Sequence, residues 1–298
     1  MEGFFAGEKM RVITKAVEIR EVCEGIRGVG RRIGFVPTMG ALHRGHLSLV
    51  KKSMEKADVT VVSIFVNPLQ FNDPEDYKRY PRSPEKDIEL LGGTGCDIVF
   101  LPEGPEEVYH YADERERELA GERIKSFFEG YGKDEILNSM EARYRPGHFN
   151  GVIAVIERLF SLVGPDIAFF GEKDYQQYLI VKAFSGLCFP SIEIEMVETV
   201  REDNGLALSS RNMLLNGADR GRATVLYRAL RRGLEMYRRG IPLSKIYESI
   251  NEMVQTEGLV LEYFEIRDND TLSKDEIRVP RAFICAYAGG VRLIDNAK

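Results

Sequence analysis

The sequence has 298 residues, of which 44% are hydrophobic and 30% are charged, and its formal net charge is -6. This length suits one large domain or two smaller ones with a real core. The acidic balance argues against a nucleic-acid-binding surface, although a local basic groove would survive that average. No apolar run is long enough to span a membrane, and four scattered cysteines without a C-x-x-C pair indicate reduced thiols of a cytoplasmic protein. We interpret residues 1–9 as an extra leader.

The first motif follows an apolar run at residues 33–36, which predicts a buried strand. Pro37 and Gly40 break this run before a helix that begins near His46, and His43 lies in the same turn. Free backbone N–H groups and the helix dipole favour an anion there, and imidazoles can donate to phosphate oxygens. Histidines that only cap or pack are the alternative. The spacing His-x-Gly-His favours a nucleotide site.

The second strand ends in polar residues. Residues 59–66 form a continuous, largely β-branched run, which is typical of a strand covered on both faces in a parallel sheet. Asn67 and Gln70 follow at its carboxyl end, where open α/β sheets bind their ligands. A simple turn around Pro68 is an equally good interpretation of this pattern.

A long charged segment covers residues 103–143, and it predicts a solvated helical excursion, with a lid or an interface as the alternative. An apolar helix follows over residues 152–163, and then a strand over residues 166–170. This part of the chain therefore returns from a polar surface segment to the core.

The turn after that strand, at residues 171–174, resembles the first motif, because a glycine-containing turn again connects a strand to a helix. A glycine lets the backbone approach a ligand, and Lys173 offers a charge for phosphate. An ordinary hydrophilic turn is the alternative. At the carboxyl end of a strand in the same sheet it becomes a second wall of one site, and at least one of Gln176 and Gln177 is expected to face the crevice.

We place a domain boundary near residue 198 and expect a smaller α+β unit after it, with helices over residues 217–239 and 243–256. The segment Leu208 to Arg211 opens this unit. Its two hydroxyls beside an arginine indicate either a mobile phosphate-binding loop or an ordinary helix cap. Three strand-like runs, at residues 259–266, 282–288 and 291–294, complete the chain.

Taken together, these segments resemble the pantothenate synthetase (pantoate–β-alanine ligase) family of the nucleotidyltransferase superfamily. The matching segments run in order and are Val36–His46, Ser63–Phe71, Tyr80–Arg82, Arg145–Phe149, Phe170–Gln177 and Asp203–Asn212. The resemblance implies an α/β fold, in which a Rossmann-like parallel-sheet nucleotidyltransferase domain (residues 1–197) binds ATP and pantoate. A smaller C-terminal α+β lid domain (residues 198–298) follows it.

The resemblance also implies the reaction, which is the ATP-dependent ligation of pantoate and β-alanine to pantothenate in coenzyme A biosynthesis. The carboxylate of pantoate attacks the α-phosphorus of ATP, and pyrophosphate leaves behind a pantoyl adenylate. The amine of β-alanine then displaces AMP. Mg²⁺ is implied together with ATP, without a set of protein ligands, and a homodimer is implied as the assembly.

Site residues are implied by motif position. His46 is the proton donor, with His43 beside it on the phosphates, and Asp174 contacts ribose. The implied catalytic residues are His46, His43, Lys173, Ser209, Ser210 and Arg211. The implied ATP-binding residues are Pro37, Thr38, Met39, Gly40, Ala41, Leu42, His43, Arg44, Gly45, His46, Gly171, Glu172, Lys173, Asp174, Val200, Leu208, Ser209, Ser210 and Arg211. The implied pantoate-binding residues are Gln70 and Gln177, with Asn67 beside them.

Two features depart from the family pattern. Residues 111–143 replace a strand and a glycine-containing acidic turn, so the residues that bind the amine of β-alanine stay unassigned, and the leader has no counterpart. Two alternative functions are a non-catalytic nucleotide-binding regulator and a one-step enzyme of the cytidylyltransferase kind. The intact set of histidines, lysine, serine and arginine argues against the regulator, and the paired glutamines argue against the one-step enzyme.

Overall fold

A computed structural model describes residues 10–109, 111–132 and 134–298, so the leader interpreted over residues 1–9 lies outside the described residues. Its larger sheet is built from β1 (Arg11–Ile13), β2 (Ile33–Thr38), β3 (Val59–Ile64), β4 (Ile98–Phe100), β5 (Ile167–Gly171) and β6 (Glu193–Val197). These six strands are all parallel and follow the order β1-β4-β3-β2-β5-β6. The predicted Rossmann-like sheet is confirmed. Its order reverses beside β2, which is where such sheets open a ligand crevice.

Helices cover both faces of this sheet. Over the described residues of the whole chain, the helices are α1 (Ala16–Gly28), α2 (Arg44–Lys56), α3 (Pro74–Arg79), α4 (Pro84–Gly92), α5 (Pro105–Tyr109), α6 (Glu114–Tyr131), α7 (Glu135–Asn138), α8 (Met140–Tyr144), α9 (His148–Val163), α10 (Tyr175–Cys188), α11 (Gly217–Arg222), α12 (Val225–Arg238) and α13 (Leu243–Thr256), and the last three belong to the carboxyl-terminal part. Neighbouring residues of one strand enter different cores: Phe35 packs with α1, α9 and α10, whereas Val36 packs with α2 and α4. This alternation explains why the strands read as continuous apolar runs.

The charged segment forms the helices α5 to α8, and the longest of them, α6, has side chains that mostly face solvent while Ala120 and Phe127 are buried. The predicted solvated helix is therefore confirmed for α6. Burial resumes just after it, because Glu141 is only 6% exposed and forms an ion pair with Arg292 at 2.7 Å. The charge that follows α6 thus ties the middle of the chain to its carboxyl end.

The carboxyl-terminal part has a separate antiparallel sheet of β7 (Val260–Asp268), β8 (Pro280–Ala288) and β9 (Val291–Ala297). Helices α12 and α13 pack on one face of it, and Tyr263 and Phe283 on its other face join the core of the larger sheet. The helix predicted over residues 217–239 is divided into α11 and α12. The boundary proposed near residue 198 coincides with the end of β6. None of the described helices is long and apolar enough to cross a membrane.

Candidate active site

The first turn brings two histidines together at the start of α2. His43 caps this helix, and its Nδ1 accepts a hydrogen bond from the N–H of Gly45 at 3.1 Å. The N–H of His43 donates in turn to Nδ1 of His46 at 3.2 Å, and the two ring centroids lie 4.1 Å apart. Because each Nδ1 accepts a hydrogen bond, each neutral ring carries its proton on Nε2.

Both rings are neutral at physiological pH. Burial lowers the pKa of His43 to about 4, and the charge of Lys173 contributes to that shift. Burial also lowers the pKa of His46 well below its ordinary value, with a smaller contribution from His43. Each ring is thus suited to donate a hydrogen bond from Nε2 and does not carry a positive charge.

A buried carboxylate holds the backbone of this first turn. Gly40 and Ala41 both have positive φ, at 76° and 49°, which is unfavourable for alanine. Asp87 on α4 accepts hydrogen bonds from the N–H of Ala41 at 2.8 Å and of Leu42 at 2.7 Å. From the opposite side, Ser210 donates from Oγ to the carbonyl of Ala41 at 3.0 Å. The strained conformation is therefore fixed through its N–H and its carbonyl.

The second turn, Gly171–Asp174, lies beside the first because β5 pairs directly with β2. Lys173 faces the crevice, and its Nζ lies 3.5 Å from a carboxylate oxygen of Asp174. Glu172 points away, where its two oxygens accept from Arg281 at 3.0 Å and from the N–H of Thr199 at 3.2 Å. One wall of the crevice thus offers neutral donors, and the other offers an ammonium group.

Gln70 is held at the carboxyl end of β3 by its neighbour. The amide nitrogen of Asn67 donates to Oε1 of Gln70 at 3.1 Å and to the carbonyl of Gly151 at 3.0 Å. Its oxygen accepts from the N–H of Leu69 at 3.1 Å and from the hydroxyl of Tyr109 at 2.8 Å. Asn67 therefore uses its donors and acceptor lone pairs on the protein, and its geometry orients Gln70.

A close approach of two segments permits this arrangement. A Cβ at Gly151 would lie 2.2 Å from the carbonyl oxygen of Leu69, so any larger residue in α9 would push the loop away. Across the crevice Gln177 lines the same cavity, whereas Gln176 is buried and donates to the carbonyls of Ile136 and Ser139. The expectation that at least one of these glutamines faces the crevice is confirmed.

The loop that begins the carboxyl-terminal part lines this cavity. Ser209 caps a short 3₁₀ helix, Ser210–Leu214, by accepting from the N–H of Arg211 at 3.3 Å. The guanidinium of Arg211 pairs with Asp76 at 2.8 Å and lies 5.3 Å from the ring centroid of Tyr80. The helix cap, which was one of the two alternatives, is confirmed, and the same loop lines the crevice. Phosphate binding by this loop stays a prediction.

Most of the predicted site residues line one cavity. They are Pro37, Thr38, Met39, His43, Gly45, His46, Asn67, Gln70, Gly171, Lys173, Asp174, Gln177, Val200, Leu208, Ser209, Ser210 and Arg211. Five others lie outside its lining and are Gly40, Ala41, Leu42, Arg44 and Glu172. Gly40 and Ala41 form the strained turn, Glu172 faces Arg281, and the side chains of Leu42 and Arg44 border a neighbouring surface groove. Contact of these five with ATP stays a prediction.

Sequence reasoning missed the residues that support the site. Asp87 is one of them. It could have been found from its position, because it lies four residues before the fully buried Leu91 and therefore on the buried face of the same helix. Asp76 and Asn296 are others, and no local pattern distinguishes them from surface polar residues. Supporting residues of this kind become visible only once the fold brings distant segments together.

Comparisons with known proteins agree with the motifs. A sequence model of the pantoate-beta-alanine ligase family matches residues 11–298. The chain is 43% identical over 292 residues to the pantothenate synthetase of Carboxydothermus hydrogenoformans, covering 96% of this chain and 98% of that protein. It is 44% identical over 272 residues to that of Leptospira interrogans, covering 90% of each.

Solved structures give the same result. The crystal structure of pantothenate synthetase from Thermus thermophilus superposes with a TM-score of 0.80 at 37% identity, covering 97% of this chain and 99% of that one. The pantoate-beta-alanine ligase from Francisella tularensis, complexed with beta-gamma ATP and β-alanine, superposes with a TM-score of 0.77 at 33% identity, covering 97% of each chain.

Proposed function

The chain belongs to the pantoate–β-alanine ligase family, and we propose that it uses ATP to join pantoate and β-alanine into pantothenate in the crevice between β2 and β5. It is a ligase, as the motifs predicted, so a non-catalytic regulator and a one-step nucleotidyltransferase no longer apply. One observation carries the assignment of the site. The two histidines, Lys173, Arg211 and the two crevice glutamines line a single cavity.

The first step forms a bond between a carboxylate oxygen of pantoate and the α-phosphorus of ATP. The bond from that phosphorus to the bridging oxygen breaks, and pyrophosphate leaves. Negative charge grows on the phosphoryl oxygens during this exchange, and preorganised donors stabilise it. We assign that role to the Nε2–H groups of His43 and His46 and to the ammonium of Lys173. The proton-donor role implied for His46 is here donation of a hydrogen bond from a neutral ring.

The second step consumes the pantoyl adenylate. The amine of β-alanine attacks the acyl carbon, the bond from that carbon to the phosphate oxygen breaks, and AMP leaves. We assign Gln70 and Gln177 to holding pantoate through both steps, because an amide can bind hydroxyl and carboxylate groups together. Asn67 is assigned to orienting Gln70, since its own hydrogen-bonding atoms are already engaged.

ATP is the nucleotide of this family, and we propose that Mg²⁺ arrives with it. No group of three or more His, Cys, Asp or Glu residues within the described parts of the chain could hold a metal ion. The described residues therefore do not fit a metal ion held by protein ligands alone. Mg²⁺ is commonly bound through substrate phosphates with few protein ligands, which suits a site of this kind.

The domain division at residue 198, the cytoplasmic location and the homodimer are parts of the same proposal. All four cysteines are free, which fits a reducing compartment. The family resemblance is the basis for the homodimer, and sedimentation equilibrium of the purified chain measures it. A monomeric mass at micromolar concentration would contradict the dimer without affecting the reaction.

The reaction is tested with purified protein, ATP, Mg²⁺, pantoate and β-alanine, and the expected products are pantothenate, AMP and pyrophosphate. Labelled pyrophosphate should also exchange into ATP when pantoate is present and β-alanine is absent. Omission of pantoate is the control and should abolish the exchange. Exchange that strictly requires β-alanine would contradict the adenylate intermediate, and absence of pantothenate would contradict the proposed function.

A further inference from the structure

The carbonyl groups of the second turn are held by a residue of the last strand. Asn296 on β9 is 3% exposed, and its amide nitrogen donates to the carbonyls of Glu172 and Lys173, both at 2.9 Å. It lies 123 positions from Lys173 in the sequence. This contact joins the carboxyl-terminal sheet to the turn that presents the lysine.

A buried arginine fixes the orientation of that amide. Arg281 on β8 is 2% exposed, and its Nη1 donates to Oδ1 of Asn296 and to a carboxylate oxygen of Glu172, the latter at 3.0 Å. A guanidinium can only donate, so the oxygen of Asn296 must face it and the NH₂ group must face the two carbonyls. The arginine also lies 3.9 Å from the ring centroid of Tyr175, the first residue of α10.

The same cluster reaches the segment that follows β6. The second carboxylate oxygen of Glu172 accepts from the N–H of Thr199, which lines the crevice beside Val200. Arg281 and Asn296 therefore hold two segments of the crevice at once, although the cavity lining contains neither residue.

We infer that Asn296, oriented by Arg281, is a positioning residue that sets the backbone of Glu172 and Lys173 and thereby the place of the lysine ammonium against ATP. This inference rests on the proposed function, since it assigns Lys173 to phosphate. A small displacement of a charged group from its productive position weakens binding and transition-state stabilisation together. The carboxyl-terminal sheet thus supports the ATP site through the backbone of the second turn, without lining the cavity itself.

The substitution Asn296→Asp tests this directly, because it keeps the shape while replacing both N–H donors with an acceptor oxygen facing two carbonyls. We expect the KM for ATP in pantoate-dependent pyrophosphate exchange to rise about tenfold, because the loss of a buried hydrogen bond typically changes an equilibrium by about this factor. The KM for pantoate should change less than about twofold, because the glutamine contacts are untouched. Asn269→Asp is the matched control, since Asn269 accepts from the same arginine at 2.9 Å without contacting the turn.

Folding and function are separated by two further measurements. Asn296→Ser is neutral and keeps one donor, so it should give an intermediate KM for ATP with a cooperative thermal transition; this variant decides the matter if Asn296→Asp does not fold. Calorimetric affinity for ATP is measured in parallel. A wild-type protein that forms no pantothenate would contradict the proposed function alone. Folded variants with the wild-type KM and affinity for ATP would overturn the positioning role.

Discussion

The two turns that face each other across the crevice are built alike but are held differently. Each follows one of two paired parallel strands and precedes a helix. The first turn is held through its N–H groups by Asp87, 45 and 46 positions away, and through the carbonyl of Ala41 by Ser210. Within the turn, the rings of His43 and His46 accept from the N–H groups of Gly45 and His43, respectively. The second turn is held through its carbonyls by Asn296, 123 and 124 positions away.

This difference separates a turn whose histidine contacts are local from a turn whose backbone carbonyls depend on the docked carboxyl-terminal sheet. It also divides the chemistry. The first turn offers uncharged N–H donors because its rings are buried, whereas the second carries the ammonium of Lys173. Substitutions in the first turn should therefore act mainly on the chemical step, and substitutions behind the second mainly on nucleotide binding.

The largest effect is expected for His46→Ala. Loss of one preorganised transition-state donor typically lowers the rate by about 10²–10³, so pantoate-dependent exchange should fall by that factor while the KM for ATP changes little. His46→Gln, which keeps an N–H donor without the ring, should recover part of the rate. An equal fall in rate and rise in KM for ATP would show that His46 acts in ground-state binding and would remove the contrast between the turns.

Asp87→Asn should have a smaller effect on activity and a clear effect on stability. An amide can accept from only one side, so one buried N–H of the strained Ala41–Leu42 segment is left without a partner. Such a loss costs about 1–3 kcal/mol, which urea unfolding measures. Glu85→Gln is the matched control, because it makes the same carboxylate-to-amide change at an exposed position of the same helix. Equal stability of both variants would contradict the support assigned to Asp87.

Gln177→Ala tests the pantoate-binding role proposed for a side chain that lines the cavity between the two turns. Its proposed contact with pantoate exists in the ground state as well, so the KM for pantoate should rise about tenfold with little change in kcat. Gln176→Ala is a poor control because Gln176 anchors two backbone carbonyls, and wild-type ATP affinity measured on the same variant serves instead. Weakened ATP binding with unchanged pantoate binding would reverse the assignment of the crevice.

The sequence predicted the fold and the two turns for the same physical reason. Strands buried on both faces read as apolar runs, and a glycine or proline followed by polar residues indicates where they end. The histidine pair could be recognised because its capping contacts lie within three positions. The helix after it nevertheless begins at Arg44, earlier than the predicted start near His46, because the cap itself is His43.

The supporting residues could not be predicted in this way. Asn296 follows a short apolar run and resembles the polar end of any surface strand, and only the docking of β9 against the second turn gives it a partner. The family resemblance predicts Ser210 in a loop on the phosphates of ATP, whereas in the structure its hydroxyl contacts the backbone of the first turn. Tertiary placement, which no local pattern encodes, decides which polar groups face the ligand and which hold the wall.

The last prediction concerns charge in the first turn. Burial lowers the pKa of His43 to about 4 and that of His46 well below the ordinary value, so neither ring should titrate with the ordinary midpoint near 6.5 in the ligand-free protein. Proton NMR of the ring Cε1–H signals measures this, with His43→Gln and His46→Gln assigning each signal. The unfolded protein in urea is the control, because its histidines should titrate near 6.5. Below that pH the unfolded chain binds protons that the folded rings do not, so the free energy of unfolding should fall by up to about 1.4 kcal/mol per pH unit for each buried histidine. A midpoint near 6.5 for either ring would mean that the first turn carries charge like the second.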